Sequence, residues 1–245
     1  MAEAVNAQTI VSSHTMEDEV TRHQDFTFPS NMHDLKQIML AGEQSPGTNY
    51  YQHGKEVAQA FQELMSIMAD KKAEAIILPN AGTRIKWHLP KWLVNHQKLI
   101  YDSLKLKMAL YKTYQKWHDC GKSFVKQLDE SRQVHYPDHA LVSSKAWIAA
   151  GGDKEVACLI ENDMVCHHLR SVPETRILCE TEPNFLALMV TAVCEMHVCQ
   201  PPNSDKDAVC PLDLTLLPGF KIKFKRIEYY GKVMMKQLCA ASKIE

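Results

Sequence analysis

The sequence has few of the residues that build turn-rich β folds. Only 9 glycines and 11 prolines occur among 245 residues. No run of alternating apolar and polar residues is convincing as a strand. This composition argues against a sandwich or a barrel of many short strands. Apolar residues instead recur at helical spacing in several segments, which predicts an all-α fold of six or seven helices.

Signals for secretion, membranes and disulfides are also missing. No apolar run approaches the roughly 20 residues of a membrane-spanning helix. Residues 1–24 contain no basic region followed by an apolar one, the pattern of a secretory signal. The eight cysteines form no Cys-x-x-Cys pair, and most lie in apolar or helical surroundings, where a reduced cysteine behaves as a small hydrophobic residue. These absences predict a cytoplasmic protein with buried free thiols and no membrane partner.

Charge of one sign is not in excess over the whole chain. Lysine and arginine total 28 against 29 aspartates and glutamates, giving a formal net charge of -1. This balance is not that of an obvious nucleic-acid-binding protein. Two local stretches are basic, however: residues 84–126, with ten Lys or Arg and two acidic residues, and residues 221–243. They could draw an anionic partner to one part of the surface.

The helical pattern divides the chain into three segments. We predict a partly irregular N-terminal segment over residues 1–48, a helical core over 49–200, and a loop followed by a basic helix over 201–245. The predicted helices cover residues 32–41 and about 51–70, 90–117, 138–150, 153–169, 183–199 and 225–241. Residues 76–90 are interpreted as a connecting segment with a short hydrophobic anchor.

The most informative stretch is residues 117–122, Trp-His-Asp-Cys-Gly-Lys. Adjacent His118 and Asp119 at a helix end can offer an imidazole nitrogen and a carboxylate oxygen to one cation. This mixed donor set suits Mn, Fe, Co, Ni or Zn better than Ca. Gly121 allows a sharp turn behind the two ligands. Lys122 is placed to neutralise an anionic group bound to the metal.

Further residues of metal-binding type follow at intervals. His139 opens a predicted helix, and His167 and His168 are adjacent near the end of the next one. Asp163 precedes His167 by four residues, so a helix would place both on one face. Glu195 lies in an apolar helix and needs a partner if it faces the core. A metal is one such partner, although an Arg or Lys is the commoner one.

The order His … His-Asp-x-Gly-Lys … His … His-His … acidic residue resembles the HD superfamily of metal-dependent phosphohydrolases, over about residues 50–200. The segment around His53 looks like the first ligand helix of that family, and residues 118–122 look like its His-Asp motif. Residues 121–127, with Gly-Lys, an aromatic and Gln, are also similar to the nuclease domains of CRISPR-associated helicase-nucleases. The resemblance implies an HD-like helical bundle with one or two divalent ions of Mn, Ni, Co, Fe or Zn.

The resemblance also implies a ligand set, consisting of His53, His118, Asp119, His139, His167, His168 and Glu195. His96 is the alternative first ligand, and Asp163 is a further candidate. His53 is favoured because one uninterrupted helix over residues 90–117 would place His96 roughly 30 Å from His118, at 1.5 Å per residue. Glu195 departs from the family, which normally closes its site with Asp, and this leaves room for an altered or degenerate site.

The implied activity is hydrolysis of a phosphoester of a nucleotide or nucleic acid by metal-activated water. Asp119 and Lys122 would act in catalysis, and Lys122 with Lys126 would hold the substrate phosphate. The near-neutral charge favours a small nucleotide, while the basic stretches keep a nucleic acid open. The alternatives are a mixed-valent diiron oxygenase on the same scaffold and a non-catalytic interaction protein with a degenerate site. The remaining histidines are interpreted as surface or satisfied core residues: His14, His23, His33, His88, His135 and His197.

Overall fold

The computed structural model describes residues 26–45, 47–70, 75–78, 83–199 and 213–241. Within these ranges the chain is a bundle of helices with three small antiparallel hairpins, which confirms the predicted all-α class. None of the described helices is long and apolar enough to cross a membrane. Most of the predicted N-terminal segment, the loop after residue 199 and Cys210 lie outside the described residues.

The described helices are α1 Met32–Ala41, α2 Tyr50–Asp70, α3 Lys91–Asn95, α4 Gln97–Leu104, α5 Met108–Trp117, α6 Lys122–Val125, α7 His139–Ala149, α8 Lys154–Glu161, α9 Val165–His168, α10 Val172–Thr181, α11 Phe185–Val198 and α12 Pro218–Ala241. Short 3-10 turns cover Lys105–Lys107 and Leu214–Leu216. The antiparallel hairpins pair β1 Glu43–Ser45 with β2 Thr48–Asn49, β3 Ala75–Leu78 with β4 Thr83–Lys86, and β5 Gln127–Leu128 with β6 Val134–His135.

Helix α2 lies at the centre of the core, between α5 and α11. Its buried apolar residues recur at helical spacing and include Val57, Phe61, Leu64, Met65 and Met68, as their spacing in the sequence predicts. Helix α11 is buried along nearly its whole length, because apolar residues occupy all sides of it. A polar side chain on α11 therefore has no access to bulk water and needs a partner inside the bundle.

Two glycines allow close backbone approach beside the His-Asp stretch. A Cβ atom on Gly54 of α2 would lie 2.3 Å from the carbonyl oxygen of Lys116 on α5. A Cβ atom on Gly121 would lie 2.3 Å from the backbone nitrogen of Ser143 on α7. Any larger residue would push these helices apart. Three helices distant in sequence therefore meet at the end of α5.

The prediction of one helix over residues 90–117 is wrong, because the segment is divided into α3, α4 and α5. The chain leaves helical geometry at His96, with φ -126° and ψ 24°, and again at Lys107, with φ -111° and ψ 20°. The reason is that the pieces pack against different neighbours. Trp92 of α3 fills the space beside Gly231 of α12, whereas α4 contacts α2.

Other predicted boundaries also need correction. The helix predicted over residues 153–169 is interrupted at residues 162–164, between α8 and α9. The sequence pattern does not predict helix α10. Pro173 reads in the sequence as the end of the preceding helix, but in the structure it lies in the first turn of α10, where proline is favoured. Residues 75–78 and 83–86 pair as the antiparallel strands β3 and β4 where a simple connection is predicted. Helix α12 begins at Pro218, earlier than predicted.

The cysteines only partly follow the prediction of buried thiols. All seven in the described part of the chain are free. Three of them are buried, namely Cys120, Cys166 and Cys194, while Cys158 and Cys199 are exposed. The apolar surroundings in the sequence therefore indicated burial correctly for fewer than half of these residues.

Candidate metal centre

His118 and Asp119 lie directly after the end of α5 and are almost completely buried, at 2% and 1% exposure. The His118 Nδ1–H donates to the carbonyl oxygen of Gln115 at 2.6 Å. Its Nε2 atom then faces two carboxylates, with Oε1 of Glu195 at 3.0 Å and Oδ2 of Asp119 at 3.3 Å. A backbone carbonyl on one ring nitrogen is how proteins orient the other nitrogen toward a metal.

Two further imidazoles approach Asp119 from other helices. His53, near the start of α2, places Nε2 3.8 Å from Oδ2 of Asp119. His139, the first residue of α7, places Nε2 3.8 Å from Oδ1 of Asp119, and its Nδ1–H donates to the carbonyl oxygen of Tyr136 at 3.0 Å. Asp138 starts α7 from a left-handed conformation, with φ 51°, which Asp adopts more readily than most residues. Asp119 therefore lies between two imidazoles.

A second carboxylate lies between two imidazoles on the other side of His118. Glu195 of α11 accepts from Nε2 of His167 on α9, through Oε2 at 2.7 Å, while its Oε1 faces His118. Asp163, in the turn before α9, is also buried, and its Oδ1 accepts from the hydroxyl of Tyr114. The break between α8 and α9 does not separate Asp163 from His167, because both line one cavity.

These side chains surround a cavity of about 240 Å³, lined by Gln44, His53, His118, Asp119, Lys122, His139, Asp163, Met164, His167, Glu195, Met196, Cys199 and Lys223. One ligand atom each from His53, His118 and Glu195 lies within 4.8 Å of the others. Metal–ligand bonds to nitrogen and oxygen are about 2.0–2.2 Å long. Small side-chain movements are therefore enough for these three residues to share one cation.

Protons balance the charges of the site in the metal-free protein. Burial acts to lower the pKa of His118, but the charges of Asp119 and Asp163 outweigh it and raise that pKa well above 6.5. Burial likewise acts to raise the pKa of Asp119, but His118 and Lys122 hold it well below 3.8. The Lys122 ammonium donates to Oδ2 of Asp119 at 2.8 Å. A buried imidazolium therefore lies where a cation would be stabilised.

The other imidazoles differ in protonation. Burial lowers the pKa of His53 to about 4 and also lowers that of His139, so both are neutral near pH 7. Burial opposes protonation of His167, yet its hydrogen bond with Glu195 raises its pKa. Burial, with the charge of Glu195, raises the pKa of Asp163 to about 6. Neutral imidazoles and ionised carboxylates are thus present together.

One atom of the site lacks a partner. Oδ1 of Asp119 is buried and has no hydrogen-bond donor among the described residues; the Nε2 atom of His139 is 3.8 Å away. An unpaired buried carboxylate oxygen is costly unless a cation or a donor occupies the adjoining space. The mixture of imidazole and carboxylate donors fits a divalent transition metal. The residues present therefore fit a metal centre.

Three residues predicted for the site lie elsewhere. His168 follows His167 on α9, but it is exposed and lines a separate groove beside α10, because neighbouring helical residues point about 100° apart. The Nδ1–H of His96 donates to the carbonyl oxygen of Trp92 at 2.7 Å, and His96 does not line the cavity. Lys126 is exposed and also lies outside the cavity lining. The structure corrects these three assignments.

Five residues of the cavity lining were missed in the sequence, the apolar Met164 and Met196 and the polar Gln44, Cys199 and Lys223. Gln44, in β1, accepts through Oε1 from the Lys122 ammonium at 3.2 Å. The Cys199 thiol lies 3.9 Å from Nε2 of His53. Lys223 reaches the cavity from α12. Only Lys223 had a signal, the basic stretch over residues 221–243, since nothing near Gln44 or Cys199 marks them as site residues.

The geometry brings His53, His118, Asp119, His139, His167 and Glu195 together from α2, the end of α5, α7, α9 and α11. No protein-family model, curated protein or solved structure gives a significant match to this chain.

Proposed function

We propose that this chain is a divalent-metal-dependent phosphohydrolase of the HD type, acting on a phosphoester of a nucleotide or nucleic acid. The observation that supports it is the convergence of four imidazoles and three carboxylates, from five separate parts of the fold, on one cavity. Imidazole and carboxylate groups rarely cluster in a protein interior without a function, because burying such groups unpaired is unfavourable. Such a cluster with strongly shifted pKa values is typical of a functional site.

His53, His118, Asp119 and Glu195 would hold a first cation, and His139 and His167 are placed to complete that site or a second one. When bound, a divalent cation supplies Lewis acidity toward a phosphoryl oxygen and lowers the pKa of a coordinated water. The carbonyls of Gln115 and Tyr136 fix the rings of His118 and His139, so that these ligands need little reorientation.

Lys122 is the residue suited to the developing negative charge of the phosphoryl group. Its ammonium has three hydrogens, of which two are directed to Asp119 and Gln44. The third remains for a phosphoryl oxygen. Burial acts to lower the pKa of Lys122, but Asp119 outweighs it and raises that pKa, so the group stays charged at neutral pH. A fixed cation in a buried site stabilises the transition state strongly.

Asp163 is suited to accept a proton from the attacking water. It lines the cavity, and in the protein without metal burial and the charge of Glu195 raise its pKa to about 6, toward the neutral range that suits a general base. The hydroxyl of Tyr114 donates to one carboxylate oxygen and fixes the orientation of the group. A base of this kind would act beside the metal ligands without itself being required to bind the cation.

The experiment starts with protein stripped by a chelator and reloaded separately with Mn, Ni, Co, Fe or Zn. Hydrolysis of an aryl phosphate monoester and of a bis-aryl phosphodiester is then measured together with bound metal. We expect hydrolysis with at least one of these metals. Lys122→Met should reduce kcat by about 100-fold or more while metal content is retained, since it removes only charge stabilisation.

Lys126→Met is the matched control, since it is the same change four residues away on an exposed side chain outside the cavity. It should leave kcat within about twofold, as expected for an exposed residue away from the site. Absence of both bound metal and hydrolysis under every metal condition would show that the proposed activity is wrong.

A further inference from the structure

The first turns of α12 are strongly basic. Residues 218–226 contain Lys221, Lys223, Lys225 and Arg226 and no acidic residue. Only Lys223 of these four lines the cavity of the candidate metal centre. One wall of that cavity is therefore supplied by a helix that lies outside the segment resembling the HD family.

The two cavity lysines differ in how their charges are balanced. Lys122 is buried and paired with Asp119 at 2.8 Å. Lys223 is exposed and forms no ion pair with a carboxylate in the described part of the chain, and its positive charge acts against protonation of His167. The α12 wall thus carries positive charge that no carboxylate of the described residues neutralises through an ion pair.

Arg226 continues this wall beyond the cavity. Its Nη1 donates to the carbonyl oxygen of His167 at 2.7 Å. This hydrogen bond connects α12 to the backbone of a predicted metal ligand on α9. Within the described ranges its guanidinium has no carboxylate partner, and four of its five N–H donors remain. Lys223 and Arg226 are three residues apart, so they are neighbours on the helix surface.

The size of the cavity sets what it can enclose. Its volume of about 240 Å³ is below the roughly 300–1,000 Å³ of typical small-molecule sites. It has room for a phosphoryl group and the atoms next to it, but a larger substrate must extend past the rim. The basic turns of α12 form one part of that rim.

We propose that α12 selects substrates with a second phosphate beyond the scissile one, and that Lys223, next to Arg226, binds this second phosphate. The inference rests on the proposed function and specifies its substrate class. A nucleoside di- or triphosphate and an oligonucleotide share this chemistry. A simple phosphate monoester lacks it and would leave the charge of Lys223 unused.

The test measures binding of inorganic phosphate and inorganic pyrophosphate by calorimetry, with metal-free and Mn-loaded full-length protein. Wild-type protein should bind pyrophosphate at least about tenfold more tightly than phosphate, a difference typical of one added charge-assisted contact. Lys223→Glu should abolish this preference. Lys221→Glu, the same charge reversal on the same helix but outside the cavity lining, should change either affinity by less than about twofold, because exposed charges are screened by salt.

An activity arm compares adenosine diphosphate, a 5′-phosphorylated dinucleotide and an aryl phosphate monoester. Lys223→Glu should raise KM for the first two with kcat little changed, because a contact outside the reacting group contributes equally to ground state and transition state. KM for the monoester should rise by a smaller factor, because that substrate has no second phosphate to lose its contact and experiences only the reversed charge at the rim. Whichever doubly phosphorylated substrate has the higher kcat/KM identifies the source of the second phosphate.

Equal weakening of pyrophosphate binding by Lys221→Glu and Lys223→Glu would overturn the inference, as would a wild-type protein that does not prefer pyrophosphate. A Lys223-dependent preference without hydrolysis of any substrate would instead support the anion site and overturn the proposed phosphohydrolase activity. Thermal unfolding of both variants serves as the folding control, and both side chains are exposed, so neither change disturbs the core.

Discussion

Two histidines of this protein, His118 and His197, share nearly the same local environment. Both are buried, at 2% and 0% exposure. Both use Nδ1 at a backbone carbonyl one turn earlier, His118 at Gln115 (2.6 Å) and His197 at Val193 (2.7 Å). They differ at Nε2. His197 accepts there from the backbone N–H of His88 at 3.0 Å, whereas His118 faces the carboxylates of Asp119 and Glu195.

This one difference shifts the pKa values of the two histidines in opposite directions. Burial lowers the pKa of His197 to about 4, and its ring packs between Trp87 and Phe220. The carboxylates beside His118 instead overcome burial and raise its pKa well above 6.5. His197 is a satisfied core residue, which confirms the sequence interpretation. Burial and a fixed ring orientation therefore do not identify a metal ligand. The group that faces Nε2 determines whether a buried histidine can bind a metal.

The largest expected effect tests His118 directly. His118→Asn keeps a side-chain N–H that can donate to the Gln115 carbonyl but removes the Nε2 atom. Metal affinity should fall by at least about 100-fold, more than for loss of a supporting residue, and hydrolysis should fall to background. Metal content after dialysis and competition with a chelating dye measure the loss. Retention of metal at the wild-type ratio would refute the assignment of His118.

The next effect concerns protons released when metal binds. The pKa of His118 is raised well above 6.5 and that of His167 is also raised, so the protonated form of both rings is favoured without metal, and protons must be released when they become ligands. Affinity should therefore rise with pH, by about tenfold per pH unit for each proton released. Calorimetry in two buffers of different ionisation enthalpy should give about one or two released protons. A binding enthalpy that is the same in both buffers would mean that no protons are released and would contradict this prediction.

His197→Asn should affect stability instead of metal binding. It leaves the backbone N–H of His88 without its acceptor and removes a ring packed against Trp87 and Phe220. We expect the free energy of unfolding to fall by about 2 kcal/mol, as for an unsatisfied buried donor. Denaturant unfolding measures it, with metal affinity as the control. If this variant loses metal as completely as His118→Asn, the distinction between the two histidines fails.

The smallest effect is the pH dependence of that stability difference. The pKa of His197 is about 4 in the folded protein and about 6.5 when unfolded. As pH falls through this window, the unfolded chain takes up a proton that the folded protein does not, so wild-type stability decreases and the decrease ends below about pH 4. The Asn variant has no titrating imidazole at this position, so its stability does not decrease in this way. The cost of His197→Asn should therefore shrink by roughly 1 kcal/mol between about pH 7.5 and 5.5, and a constant cost would argue against a neutral His197.

Eight of the residues proposed from the sequence line the cavity in the structure: His53, His118, Asp119, Lys122, His139, Asp163, His167 and Glu195. Residue type, order along the chain and the resemblance to the HD superfamily were enough to propose these residues, although His96 stayed open as an alternative to His53. His168 could not be separated from His167 in the sequence, because the rotation of the short helix α9 is set by its packing against α11. Lys126 was misplaced because α6 ends at Val125 and the chain then turns outward.

The sequence by itself determined the helical class and the helix-end position of His118 and Asp119, because apolar periodicity and residue type are local properties. Only the tertiary structure decided that His53, and not His96, approaches Asp119, that His197 is satisfied by a backbone amide, and that Lys223 lines the cavity from α12. These are contacts between segments far apart in the chain. They depend on how close helices can pack, as the contact between Gly54 and Lys116 shows, and no local pattern encodes that distance.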